Sequence, residues 1–280
     1  MEVVPPTRVL ALKPLRFAAG FIALVALLAG AMPARATNYY VMLQTNLFGN
    51  LDQHDLSIYP TMACGPASTA NALNYMQAIN PVLYPNLVPS GGYSGLISLG
   101  DTLAGSTYMA TDNVNGTWHD SLIAGAVKYI ETYSPSVTTY AAQDYWTWSH
   151  QTEPSWVTDT LPTWNFLYQG LVAQDAVEIL LTYHAGGGHF VTPNGLSWDD
   201  SNSDGIIQSS ENARLFFMNP WTGSETSAHI WQTGLNTQLE TDYSSSYITT
   251  AFEVTVPEPS AAWLLAAGVP ALLWLRRRKH

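Results

Sequence analysis

A single cysteine is the first residue in this chain whose type and surroundings could do chemistry. Cys64 is the only cysteine among 280 residues, and turn-forming residues lead through it into a helix-like run from Ala67 to Ile79. Unpaired N–H groups and the positive end of a helix dipole stabilise an anion, so this position predicts a thiol that ionises more easily than a free one. The alternative is a small buried hydrophobic residue, the usual role of a free cysteine. A suitable base elsewhere in the chain would favour the nucleophile.

His189 is the histidine with the most distinctive context for such a base. It follows three glycines, which leave room beside its ring, and it begins the apolar run Phe-Val-Thr, which predicts a strand. An imidazole can take a proton from a thiol and return it to a leaving amine near neutral pH. Asn219, which follows the apolar run Leu215–Met218 and precedes Pro220, is predicted to orient the imidazole. A packing histidine and an Asn-Pro turn at a strand end are the alternatives at these two positions.

The pattern of secondary structure predicts an α+β fold. Helix-like runs dominate the first half of the chain, and strand-like runs dominate the second half, from Ala176 to Val256. Runs of helices followed by runs of strands are typical of α+β proteins. About 220 residues between the two termini can form one hydrophobic core, with or without an additional lobe.

The order Cys64-Gly-Pro-Ala-Ser, Gly-Gly-His189-Phe-Val and Asn219-Pro resembles the C39-like branch of papain-like cysteine peptidases. Over residues 38–256 this resemblance implies a papain-like fold, in which an N-terminal helical part with the Cys helix packs against a C-terminal antiparallel β-sheet. It implies a cysteine peptidase or related thiol acyl-transfer enzyme with a peptide or protein substrate. The third catalytic residue of that branch is usually aspartate, and Asn219 would keep its orienting role without its charge. The branch also has an upstream glutamine as oxyanion donor, for which Gln44 is the expected residue and Gln53 the rival.

Residues 200–211 have the pattern of a twelve-residue calcium-binding loop. Oxygen-bearing side chains stand at its first, third and fifth positions, Gly205 stands at the sixth, and an acidic residue closes it. The expected ligands are Asp200, Asn202, Asp204, Ile206, Gln208 and Glu211. Because the loop lies between His189 and Asn219 in the chain, we expect calcium to stabilise the connection between them. An acidic surface turn is the alternative.

The two ends of the chain are predicted to be processed. Residues 1–36 combine a basic start, an apolar run and Ala34-Arg-Ala36, which is typical of a signal peptide. Residues 257–280 begin with Pro-Glu-Pro, continue with a short transmembrane helix over 261–275, and end in a basic block. This ending resembles the PEP-CTERM sorting signal that an exosortase processes in Gram-negative bacteria. It implies signal peptidase and exosortase as processing partners, transient anchoring in the inner membrane, and a mature protein at the cell surface or outside the cell. A retained signal anchor and a plain C-terminal anchor are the alternatives.

The charge of the central segment limits its partners. Between Thr37 and Val256 only Lys128 and Arg214 are basic, against 19 acidic residues, which gives a net charge of about −17. Such a surface repels nucleic acid and anionic lipid, so we expect no nucleic-acid partner and membrane contact only through the terminal segments. Abundant tryptophan and tyrosine also fit a non-catalytic surface or extracellular-matrix binding protein, which is the alternative to an enzyme.

Overall fold

The computed structural model describes residues 37–134, 138–233 and 238–255. Within these ranges the chain forms four α-helices: α1 Cys64–Ile79, α2 Tyr93–Ala104, α3 His119–Tyr133 and α4 Trp164–Val172. The same ranges contain nine strands: β1 Thr37–Met42, β2 Thr139–Asp144, β3 Val157–Asp159, β4 Ala176–Tyr183, β5 Gly188–Asp200, β6 Arg214–Asn219, β7 Ser224–Thr233, β8 Gln238–Thr241 and β9 Ser246–Thr255.

Six of the strands close into an antiparallel barrel. Strands β4 to β9 pair in chain order, each with the next, and β9 pairs back with β4. The closing pair has an irregular register between Leu180 and Leu181. Outside the barrel, β1 adds to β5, β2 adds to β9, and β3 pairs with β2 in parallel.

The barrel corrects the predicted fold class. The sequence predicted a papain-like α+β protein, whereas the structure is a β-rich fold with a closed six-stranded barrel and four short helices in the described ranges. The error has a physical origin in β4 and β9, which are buried along most of their length. An apolar run identifies a buried strand but does not identify its pairing partner, and closure depends on a pairing that joins segments about 70 residues apart.

The predicted terminal segments cannot be compared with this architecture. Residues 1–36, with the signal peptide, and residues 257–280, with the sorting segment, lie outside the described ranges. The transmembrane helix predicted over 261–275 is therefore not among the helices of the structure. In the described ranges, no helix combines the length and the apolar character that crossing a membrane requires.

Helix α1 carries Cys64 and has clear sequence signals at both ends. Pro66 stands in its first turn, where its missing N–H group would have had no helical partner. The helix ends at Ile79, before Asn80 and a proline that disfavours further helix. Most of its residues are buried, because it packs against α2 on one side and against β5 of the barrel on the other. The sequence therefore places the cysteine where this helix meets the barrel.

A buried histidine–carboxylate pair attaches α3 to the sheet. His119 Nδ1 lies 2.6 Å from Asp144 Oδ2, and both side chains are buried. The hydroxyl of Thr250 on β9 donates to the other carboxylate oxygen of Asp144 at 2.9 Å. Helix α3 is thus joined through β2 to the strand that closes the barrel.

Candidate active site

Cys64 is the first residue of α1 and faces strand β5. Backbone N–H groups of Phe190, of Gly65 and of Cys64 itself lie close enough to the thiol to act on its pKa. The residue keeps part of its surface accessible to solvent. Gly65 lets the start of α1 approach Thr117 closely, because a Cβ at that position would lie 2.9 Å from Cβ of Thr117. The thiol is therefore held between the start of a helix and the residue that follows His189.

The pKa of the Cys64 thiol moves in the direction opposite to the sequence-based prediction. Burial raises this pKa and is the largest effect, while the three backbone N–H groups act to lower it. The prediction included the N–H groups at the start of the helix but not the desolvation of the thiol by the barrel. At neutral pH the thiol consequently keeps its proton until a base removes it.

His189 and Asn219 are joined by a direct hydrogen bond. His189 Nε2 lies 2.9 Å from Asn219 Oδ1, and both residues are almost fully buried. His189 stands near the start of β5, opposite Leu181, and Asn219 is the last residue of β6. Adjacent barrel strands therefore bring together two residues that are 30 positions apart in the chain.

The hydrogen bonds of Asn219 fix which nitrogen of His189 can act as the base. The backbone N–H of Trp221 donates to Asn219 Oδ1 at 3.0 Å, and Asn219 Nδ2 donates to the hydroxyl of Tyr243 at 3.1 Å. Since Oδ1 is the acceptor end of the amide, the imidazole must donate to it from Nε2. A neutral ring then has its lone pair on Nδ1, and burial lowers the pKa of His189, which favours the neutral ring.

Two tyrosines flank this cluster. The ring of Tyr243 lies over His189 with centroids 6.1 Å apart and planes at 18°. Burial raises the pKa values of Tyr243 and of Tyr183, which a charge on Cys64 would raise further. Both phenols are thus close enough to sense a thiolate, and both remain neutral donors at neutral pH. Cys64, His189 and Asn219 share one end of the barrel with them.

The structure separates the two glutamines considered as oxyanion donors. Gln44 is exposed, and its neighbour Leu43 donates from its backbone N–H to the carbonyl of Asn194 at 2.8 Å. Among the described residues, the Gln44 side chain makes no hydrogen bond to Cys64, His189 or Asn219, so its role as oxyanion donor stays a prediction.

Gln53 lies beside that cluster instead. Its backbone N–H donates to the carbonyl of Pro220 at 2.7 Å, and its Nε2 donates to the carbonyl of Pro60 at 3.0 Å. The residue is 1% exposed, and its Oε1 has no hydrogen-bond partner among the described residues. One amide N–H remains after the bond to Pro60, so Gln53 has a donor available between the loop before Cys64 and the turn after Asn219.

The calcium-loop segment forms a tight turn stabilised by its own side chains. The carboxylate of Asp200 accepts the N–H groups of Asp204 and Gly205, each at 3.2 Å, and Gly205 has a positive φ of 73°. Ile207 is fully buried, and its carbonyl accepts the N–H of Gln232 on β7 at 2.8 Å. The loop is therefore anchored on the barrel between β5 and β6, as its place in the sequence requires.

The acidic side chains of this loop are not gathered around one point. In the described ranges, no group of three or more His, Cys, Asp or Glu side chains is arranged to hold a metal ion. Both carboxylate oxygens of Glu211 accept protein donors, one from the indole of Trp198 and the other from Ser201. Asn202 and Gln208 both donate to the carboxylate of Asp204, and the Ile206 backbone N–H donates to the same group. The oxygen donors fit the chemistry of calcium, but the loop would have to exchange several of these bonds to bind it.

Sequence reasoning missed Tyr243 and the buried carboxyl of Glu178, which lies beneath α1. Tyr243 stands in the turn between β8 and β9, and its polar neighbours give no local signal that its hydroxyl reaches Asn219. Glu178 interrupts the apolar run of β4, and a charged residue inside a buried strand could have drawn attention to it.

Comparisons with known proteins identify no relative. No family model matches the chain, and no curated protein matches it. The geometry of Cys64, His189 and Asn219 is therefore the basis for assigning a function.

Proposed function

We propose that the protein is an exported thiol hydrolase, a cysteine peptidase or a related acyl-transfer enzyme, that acts on amide bonds of peptide or protein substrates. The observation that supports this most is the arrangement on β5. A neutral imidazole oriented by Asn219 is adjacent in the strand to Phe190, whose N–H meets the thiol of Cys64. Nucleophile, base and orienting group are thus contributed by three connected elements, which is the arrangement that thiol catalysis needs.

The first half of the reaction forms a thioester. The sulfur of Cys64 attacks the carbonyl carbon, and the thiol proton passes to Nδ1 of His189. The carbonyl oxygen becomes an oxyanion, which Gln53 Nε2 and the backbone N–H of Cys64 would stabilise. The C–N bond then breaks as the imidazolium returns the proton to the leaving amine, and the acyl group remains on sulfur.

The second half releases the acyl group. His189 Nδ1 takes a proton from water, the resulting hydroxide equivalent attacks the thioester carbonyl, and the C–S bond breaks with return of the proton to Cys64. A second amine in place of water would give transpeptidation with the same proton transfers. Asn219 keeps its bond to Nε2 throughout and so holds the ring in one tautomer.

A non-catalytic binding protein is the second candidate. Burial raises the pKa of the thiol, and its recorded contact with β5 is the backbone N–H of Phe190 rather than the imidazole. Both observations also suit an inert, well-packed cysteine, which would leave the exposed aromatic residues as the functional surface.

Thiol reactivity distinguishes the two candidates. An uncharged peptidyl acyloxymethyl ketone should label Cys64, with one label per chain, about a hundredfold faster than it labels N-acetylcysteine at pH 7, because His189 removes the thiol proton during attack. Peptide mapping after labelling identifies the site, and the urea-unfolded chain serves as the control. A native chain that labels no faster than the unfolded chain would show that the protein is a binding module.

Location and calcium complete the proposal. Residues 1–36 and 257–280 support export and processing by signal peptidase and an exosortase, with the mature protein at the surface of a Gram-negative bacterium or released from it. Calcium binding at 200–211 would stabilise the connection between β5 and β6, the strands that carry His189 and Asn219. The Gly205 turn, the buried Ile207 anchor and the oxygen-bearing side chains support this part of the proposal.

A thermal melt tests the calcium site. If free calcium is a hundred times its Kd, it should stabilise the native chain by about 2.7 kcal/mol, which corresponds to a rise in Tm of roughly 5–10 °C for a domain of this size. Melting in millimolar calcium and in excess chelator measures the shift. Asp204→Asn and Glu211→Gln should each abolish it, whereas Asp112→Asn, in an exposed turn outside the loop, should retain it. Equal Tm values in calcium and chelator would contradict the proposal.

A further inference from the structure

Four polar side chains are buried together between α1 and the barrel. Ser68 and Thr69 lie on α1, Glu178 on β4 and Thr192 on β5, and none is more than 2% exposed. The hydroxyl of Thr69 donates to Glu178 Oε2 at 2.8 Å. The hydroxyls of Ser68 and Thr192 are 2.8 Å apart. We call these four residues the helix clamp.

The hydroxyl protons of the helix clamp join α1 to both strands. The hydroxyl of Thr192 donates to the carbonyl of Ser68 at 2.9 Å, so its single proton is used there. The short contact between the two hydroxyls then requires Ser68 to donate to Thr192. Helix α1 is therefore tied to β5 through Ser68 and to β4 through the bond from Thr69 to Glu178.

The surroundings of Glu178 favour the protonated acid. Burial raises the pKa of Glu178 to about 8, against smaller lowering effects from Thr69 and Ser68. The other titratable groups on the elements packed around it are Cys64 and Tyr75 on α1, Tyr183 on β4, His189 with Asp199 and Asp200 on β5, and Tyr247 with Glu253 on β9. His189 is the only possible cation among them, and burial lowers its pKa. No positive charge on these elements therefore stabilises an ionised Glu178 at neutral pH.

The helix clamp is adjacent to the candidate active site on both α1 and β5. Ser68 follows Cys64 by four residues and so lies one helical turn behind it on the same face. Thr192 follows His189 by three residues on β5. Ala67 and Ala70, the apolar residues of α1 next to Ser68 and Thr69, are fully buried but small. Directional hydrogen bonds therefore add to packing in fixing the register of this turn of the helix.

We propose that the helix clamp sets the position of α1 along β4 and β5, and that Glu178 is a positioning residue that keeps the Cys64 thiol in register with Phe190 and His189. This inference rests on the proposed function, because it assigns Glu178 a role in the same reaction. A shift of α1 by about 1 Å would misplace the thiol enough to lower its reactivity substantially. Glu178 contacts no reacting atom and acts only through the helix.

Matched substitutions at Glu178 separate positioning from stability. Glu178→Gln keeps a carbonyl to accept from Thr69, so it should label at Cys64 within about threefold of the native rate. Glu178→Met has a similar length without polar atoms and should label roughly 10- to 100-fold more slowly. Leu239→Ala, a core substitution on β8, should lower Tm but leave the labelling rate of the folded chain unchanged.

A second pair of variants tests the other end of the clamp and guards against misfolding at Glu178. Thr192→Val removes the hydroxyl without a large change in shape and should slow labelling, whereas Thr192→Ser should restore it. Native labelling rates in Glu178→Met and Thr192→Val, or losses in proportion to Tm in every variant including Leu239→Ala, would overturn the positioning role. His189→Ala is measured in the same series: if it labels at the native rate, the proposed function fails, whatever the Glu178 variants show.

Discussion

Replacing His189 with alanine should lower the rate of Cys64 labelling by the peptidyl ketone by about 10²- to 10⁴-fold at pH 7. The thiol is neutral at this pH because burial raises its pKa, so its reaction depends on proton removal by Nδ1 of His189. Without the imidazole, labelling should increase with pH into the alkaline range, as the thiol ionises unaided. In the native chain the labelling rate should instead increase as the pH rises through the pKa of His189, where the imidazole becomes neutral. Because burial lowers this pKa, the increase should occur at a lower pH than in His189→Ala.

Two further substitutions show whether this loss is specific. Asn219→Ala should retain part of the rate, because the ring remains but loses the bond that fixes its tautomer. His229→Ala is the control, since His229 is paired with Asp242 and stands opposite Arg214, at the end of β6 remote from Asn219. If His189→Ala labels within threefold of the native chain, His189 is a packing residue and the thiol reacts without a base.

The parts of the site that the sequence could predict are the ones with local signals. A helix through Cys64 to Ile79 follows from the turn residues before it and the proline after it, and the structure has that helix. Strands at His189 and before Asn219 follow from short apolar runs beside glycines and a proline, and the structure has β5 and β6 there. At Asn219 the turn at the strand end and the hydrogen bond to the imidazole occur together, because one side-chain oxygen accepts from Trp221 in the turn and from His189.

The parts that the sequence could not predict depend on distant contacts. Closure of the barrel requires β4 to pair with β9, and neither run contains a residue that specifies the other. Gln44 was expected from its place after an apolar run and is exposed, whereas the backbone N–H of Gln53 reaches the carbonyl of Pro220, a contact between distant segments that no local pattern indicates. The raised pKa of Cys64 has the same origin, since desolvation comes from elements far away in the chain.

Glu178 should make the native chain lose stability steadily between about pH 4.5 and pH 8. Glutamate ordinarily titrates at 4.5, and burial raises the pKa of Glu178 to about 8 in the folded chain. Below pH 4.5 the folded and unfolded chains both hold this proton, so Glu178 contributes no pH dependence. Above it the unfolded chain ionises first, the folded chain binds one more proton, and the unfolding free energy falls by about 1.4 kcal/mol per pH unit, or about 5 kcal/mol in total.

Urea unfolding of the native chain, Glu178→Gln and Glu178→Met at pH 5, 6, 7 and 8 separates titration from hydrogen bonding. Neither variant titrates at this position, so the unfolding free energy of each, relative to that of the native chain, should increase with pH at the same slope. Glu178→Met should be the less stable of the two variants at every pH. The buried acid pair of Asp175 and Glu253, in which burial raises the pKa of Glu253 to about 8, is present in all three proteins and cancels from the differences. A pH-independent difference between the native chain and Glu178→Gln would mean that Glu178 is ionised in the folded chain.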